Sequence, residues 1–331
     1  MNTKYINLYN AKEKMKDCND WVIICHENPD GDTLCSGLSL YSLGTRLGKN
    51  VRVLGKDPFP SRYQFLPYAS IYERYSETVS YDKSSLFINV DVGNEERGIP
   101  ALTTQAINSL NIDHHGDNNE YMGINIVDPT ASATVEIVCD IICSFEELTM
   151  TKDEAELLYV GLVTDNGNFR FSSTTSKSHR CASILLDAGL DPSYIDDVLN
   201  ENLTQESLIL WGKAFLRTET YLNGIVASFW LTKDELDHAN AEISTLDGIV
   251  NMLMRIKGIK IAVFIYFDEF NAKISIRTKD MYSAREIATS LGGGGHVRAA
   301  GAKMLGNMDE IKSKVRMEII KYANFRNPTN K

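Results

Sequence analysis

Apolar residues fall in short blocks along the first half of the chain, each closed by a polar turn. Trp21 to Cys25 is one such block. The turn from His26 to Asp32 follows it, then a helical pattern from Thr33 to Leu47 that Gly48 ends. Val51 to Leu54, Leu86 to Val90, Leu110 to Ile112 and Ile124 to Val127 repeat the block, and helices are expected near 132–145 and 152–163. Continuously apolar strands alternating with helices predict an α/β unit: a parallel sheet with helices on both faces.

The pattern changes after about residue 190. Asp191-Pro192 opens a helical stretch to about 219, expected to connect two domains. Strands are expected at 224–230, 260–267 and 272–278, and helices at 245–255, 283–290 and 308–322. The expected division is therefore 1–190, a helical connector over 191–219, and a smaller α+β domain over 220–331. Asn324 to Lys331 is expected to fray.

Composition adds limits rather than identity. The chain has 331 residues, 43% hydrophobic and 24% charged, ordinary values for a folded protein. Its net charge of −10 argues against a protein that coats long nucleic acid, whose usual footprint is basic. It leaves room for a short anionic substrate, because from Arg255 to Lys303 nine Lys and Arg stand against four Asp and Glu. No secretory leader or membrane-spanning run is read in the sequence. Six dispersed cysteines without a CxxC pair fit reduced thiols and a cytoplasmic setting. Cys139 and Cys143 are expected to pack in the core, and His179 and His238 to lie on the surface.

The residues with chemistry stand at the ends of the apolar blocks. His26, Asp30 and Asp32 occupy the first turn, Asp91 follows Val90, Asp113-His114-His115 follows Ile112, and Asp165 ends a helix. In an open α/β sheet the ligand crevice lies beyond the carboxyl ends of the strands. Four carboxylates in one crevice would repel each other unless cations offset them. Carboxylate plus imidazole without thiolate suits Mn²⁺, Mg²⁺, Fe²⁺ or Co²⁺ better than a structural zinc. Six such side chains suit two metals sharing a bridging carboxylate, an arrangement made for phosphoryl transfer.

These residues, in this order, resemble the four motifs of the DHH phosphoesterase superfamily. Gly292 to Gly301, with His296 and Arg298, resembles the glycine-rich signature of the DHH-associated C-terminal domain. Within the superfamily the chain is most similar to the group of oligoribonucleases and 3′-phosphoadenosine 5′-phosphate (pAp) phosphatases. The resemblance implies that His26 and Asp30 hold one metal, that Asp91 bridges, and that Asp32, His114 and Asp165 complete the second site. It implies two divalent ions, Mn²⁺ foremost, with His115 facing the phosphate and Asp113 orienting an imidazole behind it.

Arg97 matches a weaker Asn-x-x-Arg feature that begins at Asn94. Arg277 matches a position that binds a terminal phosphate. Gly293, Gly294 and Gly295 would let backbone N–H groups approach phosphate, with His296 and Arg298 beside them. The implied partners are short oligoribonucleotides of two to five nucleotides or small phosphorylated nucleotides, neither long duplexes nor membranes, with a homodimer allowed. Cyclic-di-AMP or pApA is the alternative substrate, and a non-catalytic nucleotide or RNA binder the alternative of another class. Asn166, where relatives often carry threonine, and Ala133, within a stretch commonly rich in Ser and Thr, depart from the pattern.

Overall fold

A computed structural model describes residues 3–200, 204–246, 248–295 and 297–326; of residues 3–6, 200 and 244 only the backbone is described. His296, expected to contact substrate, lies outside these residues, as do residues 327–331. The chain forms two compact units, divided between Glu201 and Asn202.

The first unit runs α1 (Thr3–Asp17), β1 (Asp20–Cys25), α2 (Gly31–Arg46), β2 (Asn50–Gly55), β3 (Tyr72–Arg74), β4 (Leu86–Val90), α3 (Pro100–Thr103), β5 (Asn108–Asp113), β6 (Ile124–Val127), α4 (Thr134–Ser144), α5 (Lys152–Asp165), α6 (Ser176–Asp187) and α7 (Pro192–Asn200). Its six strands pair in parallel in the order β3-β2-β1-β4-β5-β6. Period-2 alternation splits β1 between the two faces. Trp21, Ile23 and Cys25 pack with the buried residues of α2, α4, α5 and α6. Val22 and Ile24 pack with Leu54, Phe87, Ile99 and Leu102 on the other face, where among the described residues the only helix contributing is the single turn α3. The two faces are covered unequally.

The second unit runs α8 (Gln205–Leu216), β7 (Glu219–Tyr221), β8 (Val226–Thr232), α9 (Lys233–His238), α10 (Ile249–Leu253), β9 (Ile261–Asp268), β10 (Asn271–Thr278), α11 (Ala284–Ser290), β11 (Gly294–Gly295), β12 (Ala299–Leu305) and α12 (Met308–Arg326). Its sheet order is β11-β12-β10-β9-β8-β7, with β8 and β9 parallel and the other pairs antiparallel. One face packs on α11 and α12, the other on α8, α9 and α10.

Three expectations need correction. The stretch 191–219 is not one connector: α7 buries Ile195 in the first core, whereas α8 buries Leu210 and Ala214 in the second. Each helix is amphipathic toward its own unit, so the division falls between them. The C-terminal helix continues to Arg326, into the stretch from Asn324 where fraying was expected, with Ala323 still buried just before it. Cys139 is buried, but Cys143, one turn later at the end of α4, is exposed. All six cysteines are free thiols, and among the described residues no helix is long and apolar enough to cross a membrane. His179 and His238 are exposed as expected, His179 stacking on Phe169.

Candidate metal centre

The sheet order reverses direction between β1 and β4, the switch point where open α/β sheets place ligands. Cys25, Val90 and Ile112 stand in register across β1, β4 and β5. The next residues, His26, Asp91 and Asp113, therefore leave the sheet at one level. Thr33 ties two of these ends together, donating its hydroxyl to the Val90 carbonyl at 2.9 Å and accepting from the His26 N–H at 3.2 Å.

Two helix ends supply the rest. Asp30 caps α2, accepting from the N–H groups of Asp32 and Thr33. Gly31 is needed there, since a Cβ would overlap the Thr164 hydroxyl on α5. That close approach brings the first turn of α2 beside Asp165, the last residue of α5. Asp32 caps a different helix. Its two oxygens accept the N–H groups of Thr134 at 2.6 Å and Val135 at 2.9 Å, at the start of α4. This accounts for Ala133: it stands at the N-cap of α4 with no side-chain bond, because Asp32 does that work from outside the helix. Asn166 has its own place. Its side chain accepts the Phe169 N–H and reaches Ser132 at 3.5 Å, joining the loop after Asp165 to the segment before α4.

The predicted ligands converge as two triads. Donor atoms of His26, Asp30 and Asp91 lie within 4.8 Å of one another, as do those of Asp32, His114 and Asp165. Asp91 spans both: its Oδ2 is 3.4 Å from His26 Nε2, and its Oδ1 is 3.6 Å from His114 Nε2. His114 Nε2 also lies 3.6 Å from Asp165 Oδ2. His26 Nδ1 faces the Glu27 carbonyl at 2.7 Å and His114 Nδ1 faces the Ala131 carbonyl at 3.3 Å. A carbonyl only accepts, so both Nδ1 atoms carry the proton in the neutral rings and both Nε2 lone pairs point at the carboxylates.

Charge in this crevice is poorly balanced without cations. Burial, with Asp91, Asp165 and Asp30 adding to it, pushes the Asp32 carboxyl well above its usual range. Burial likewise lifts Asp165 to about 7, against the opposing pull of His114. For His26 burial acts downward, but the bonds to Asp30 and Asp91 overcome it and raise the imidazole to about 10. Asp30 moves to about 2: burial raises it, and its bond to His26 outweighs that. The donor set, four carboxylates and two oriented imidazoles with one shared carboxylate, fits divalent cations.

Asp113 is fully buried and belongs to neither triad, but it accepts the backbone N–H of His114 at 2.8 Å. Its Oδ1 holds His115 Nδ1 at 2.8 Å and its Oδ2 accepts from Asn118 at 2.6 Å. His115 is raised to about 9: burial lowers it, and the Asp113 bond more than compensates. The half-buried Arg97 adds a positive charge that opposes this protonation. Among the described residues Arg97 forms no carboxylate ion pair, and its backbone closes the turn that Asn94 caps.

Several supporting residues carried no sequence signal. Asp91 has a left-handed backbone (φ +60°), rare for a residue with a Cβ. The next carbonyl, that of Val92, receives three donors: Asn111 Nδ2 at 3.0 Å, Tyr121 OH at 2.9 Å and Asn118 Nδ2 at 3.4 Å. This clamp fixes the backbone just after the shared carboxylate.

The remaining expected residues belong to the second unit. Arg277 lies on β10, its Nε donating to Asn251 at 3.1 Å. Arg298 has one arm engaged, Nη1 donating to the carbonyls of Asp280 and Tyr282, so part of this side chain is structural. Gly294 and Gly295 form β11 against β12. Gly293 is glycine for packing, since a Cβ would overlap the Gly301 carbonyl oxygen, whereas Gly294 faces open space.

The chain matches the model of the DHH family, N-terminal domain, over residues 20–162 and that of the DHHA1 domain over residues 223–321. It is 31% identical over 295 residues to the bifunctional oligoribonuclease and PAP phosphatase NrnA of Thermus thermophilus, spanning 88% of this chain and 87% of that one. The chain belongs to the DHH family of phosphoesterases, with a DHHA1 domain after the DHH domain. Its fold is shared with an exopolyphosphatase-related protein from Bacteroides fragilis (TM-score 0.87, 24% identity, 96% of both chains). It is also shared with exonuclease RecJ bound to manganese (TM-score 0.56, 14% identity, 98% of this chain and 96% of that one).

Proposed function

We propose that this protein is a divalent-cation-dependent phosphoesterase that hydrolyses oligoribonucleotides of two to five nucleotides to mononucleotides, and pAp to AMP. The observation that carries the reading is Asp91, whose two oxygens each face a different imidazole within a different triad. His26, Asp30 and Asp91 would hold one cation and Asp32, His114 and Asp165 the other, with Asp91 shared. Such a pair activates water as a nucleophile and offsets the charge of the reacting phosphate. Mn²⁺ suits the mixed oxygen and nitrogen donors, with Mg²⁺, Co²⁺ and Fe²⁺ as alternatives. The manganese reported with the RecJ structure and the activity named for the Thermus relative support this assignment.

The remaining side chains bind and move protons. With Nδ1–H donated to Asp113, His115 presents Nε2 on the opposite side of its ring. Protonated, that atom donates to a phosphate oxygen; neutral, it accepts. Arg97 supplies a fixed positive charge beside it. Arg277, Arg298 and Gly294 on the second unit are assigned to phosphates away from the reacting one. The complete ligand set weighs against a non-catalytic binder, since a protein that only held RNA would gain nothing from buried, mutually repelling carboxylates.

The test is a side-by-side turnover assay with Mn²⁺ on pAp, a 5′-phosphorylated RNA dinucleotide, a five-nucleotide RNA, pApA and cyclic-di-AMP. Turnover of pAp and the two RNAs above the others supports the assignment. Exclusive turnover of cyclic-di-AMP or pApA replaces the substrate and keeps the chemistry.

A further inference from the structure

The α8–α10 layer covers only part of its face of the second sheet. Leu231, Phe229, Tyr266 and Phe264 are buried beneath it, but β10, β12 and β11 extend beyond as an open ledge. Alternation on β10 turns Ala272, Ile274 and Ile276 into the opposite core, so Lys273, Ser275 and Arg277 stand on the ledge. Antiparallel register sets Lys303 directly opposite Lys273, Gly301 opposite Ser275, and Ala299 opposite Arg277. Gly294 follows on the far side of Gly301. The ledge thus has two lysines at one end, an arginine at the other, and a floor of serine and glycines between. A groove runs along it, walled on one side by Ile243, Leu246 and Val250.

Like charges directly opposite on an antiparallel pair are destabilising. Lys273 and Lys303 are both exposed, and among the described residues neither has a carboxylate partner. An anion held between them removes the repulsion. Positions 273 and 277 are four residues apart on a strand, about 13–14 Å. That span exceeds the distance between the two phosphates of a single nucleotide but suits phosphates two linkages apart in a short strand, whose sugars and bases can lie on the apolar wall.

We infer that Lys273 and Lys303 form a second phosphate position on the ledge that carries Arg277, binding an internal phosphate of oligoribonucleotides longer than two residues. This pair makes longer members of the substrate range bind more tightly than pAp, which cannot reach both ends. The inference rests on the oligoribonuclease reading above.

The test is the double variant Lys273→Met, Lys303→Met, which keeps the apolar stems and removes both charges. Its thermal stability should equal or exceed that of the unaltered protein. Its KM for a 5′-phosphorylated RNA tetranucleotide should rise about 10-fold, and its log KM against log salt should flatten by roughly 1.4, the value for two contacts on a single strand. Its KM for pAp should stay within twofold. An equal rise for pAp and tetranucleotide, or no rise for either, overturns the inference. Anisotropy of a 3′-fluorescein tetranucleotide on the metal-free protein carries the same expectation, a Kd about 10-fold weaker in the double variant. That arm decides the matter even if the unaltered protein hydrolyses neither substrate, a result that would defeat the functional reading alone.

Discussion

His115 Nδ1 lies 2.8 Å from Asp113 Oδ1, and Asn118 holds the other oxygen of the same carboxylate at 2.6 Å. A carboxylate can accept both bonds; an amide has only one acceptor oxygen. Asp113→Asn therefore leaves either His115 or Asn118 without its partner. The expected result is a kcat lower by roughly 10–100-fold, the usual effect of removing a residue that orients an active-site imidazole. KM and metal affinity should stay near the unaltered values. Equal loss of metal affinity would show that Asp113 supports the triads rather than His115.

Metal binding should release protons. In the metal-free protein His26 is held at about 10 and Asp165 at about 7, both raised. Both groups are thus more protonated near neutral pH than free side chains, and both must lose the proton to bind a cation. Affinity should rise with pH up to about 10, with at least one proton released per chain at pH 7.5. Calorimetric Mn²⁺ titrations in two buffers of different ionisation enthalpy measure this number. A value of zero would remove His26 from the metal site.

Tyr121→Phe deletes one of the three donors to the Val92 carbonyl and also the acceptor of the Asn89 amide. Stability should fall by about 2 kcal/mol for the two lost bonds. Because the clamp fixes the left-handed backbone at Asp91, kcat with Mn²⁺ should fall about 10-fold while far-ultraviolet circular dichroism is unchanged. Unaltered kcat would mean that Asn111 and Asn118 suffice.

Two neighbouring glycines should behave differently. Gly293→Ala drives a methyl group into the Gly301 carbonyl and should destabilise the second unit by about 3 kcal/mol or more. Gly294→Ala meets open space and should change stability by less than ~1 kcal/mol, so any rise in KM it causes reports on phosphate approach. Urea unfolding of both variants, with KM for pAp, separates the cases. A Gly293→Ala protein as stable as the original would contradict the β11–β12 pairing.

The candidate site was legible in the sequence because parallel strands advertise themselves as apolar blocks, and His26, Asp91 and Asp113 stand directly after them. Their partners were not. Asp32 caps α4 from about a hundred residues away, a relation with no local pattern, and Ala133 makes sense only once that is seen. Asn111, Asn118 and Tyr121 are ordinary polar residues until the fold brings them to one carbonyl. The glycine run was visible, but only packing against β12 separates Gly293, which the fold demands, from Gly294, which it leaves open. The division between units was misplaced because α7 and α8 both read as helical, and only their buried faces assign them to different cores.

The metal-dependent phosphoesterase reading turns on Asp91, a member of the His26–Asp30 triad whose other oxygen faces His114 of the second. Its most direct test is Mn²⁺-dependent hydrolysis of a 5′-phosphorylated RNA dinucleotide by the unaltered protein and by Asp91→Ala, with circular dichroism confirming that both are folded. Turnover that chelation abolishes is expected in the first and none detectable in the second. Full turnover by folded Asp91→Ala would contradict it.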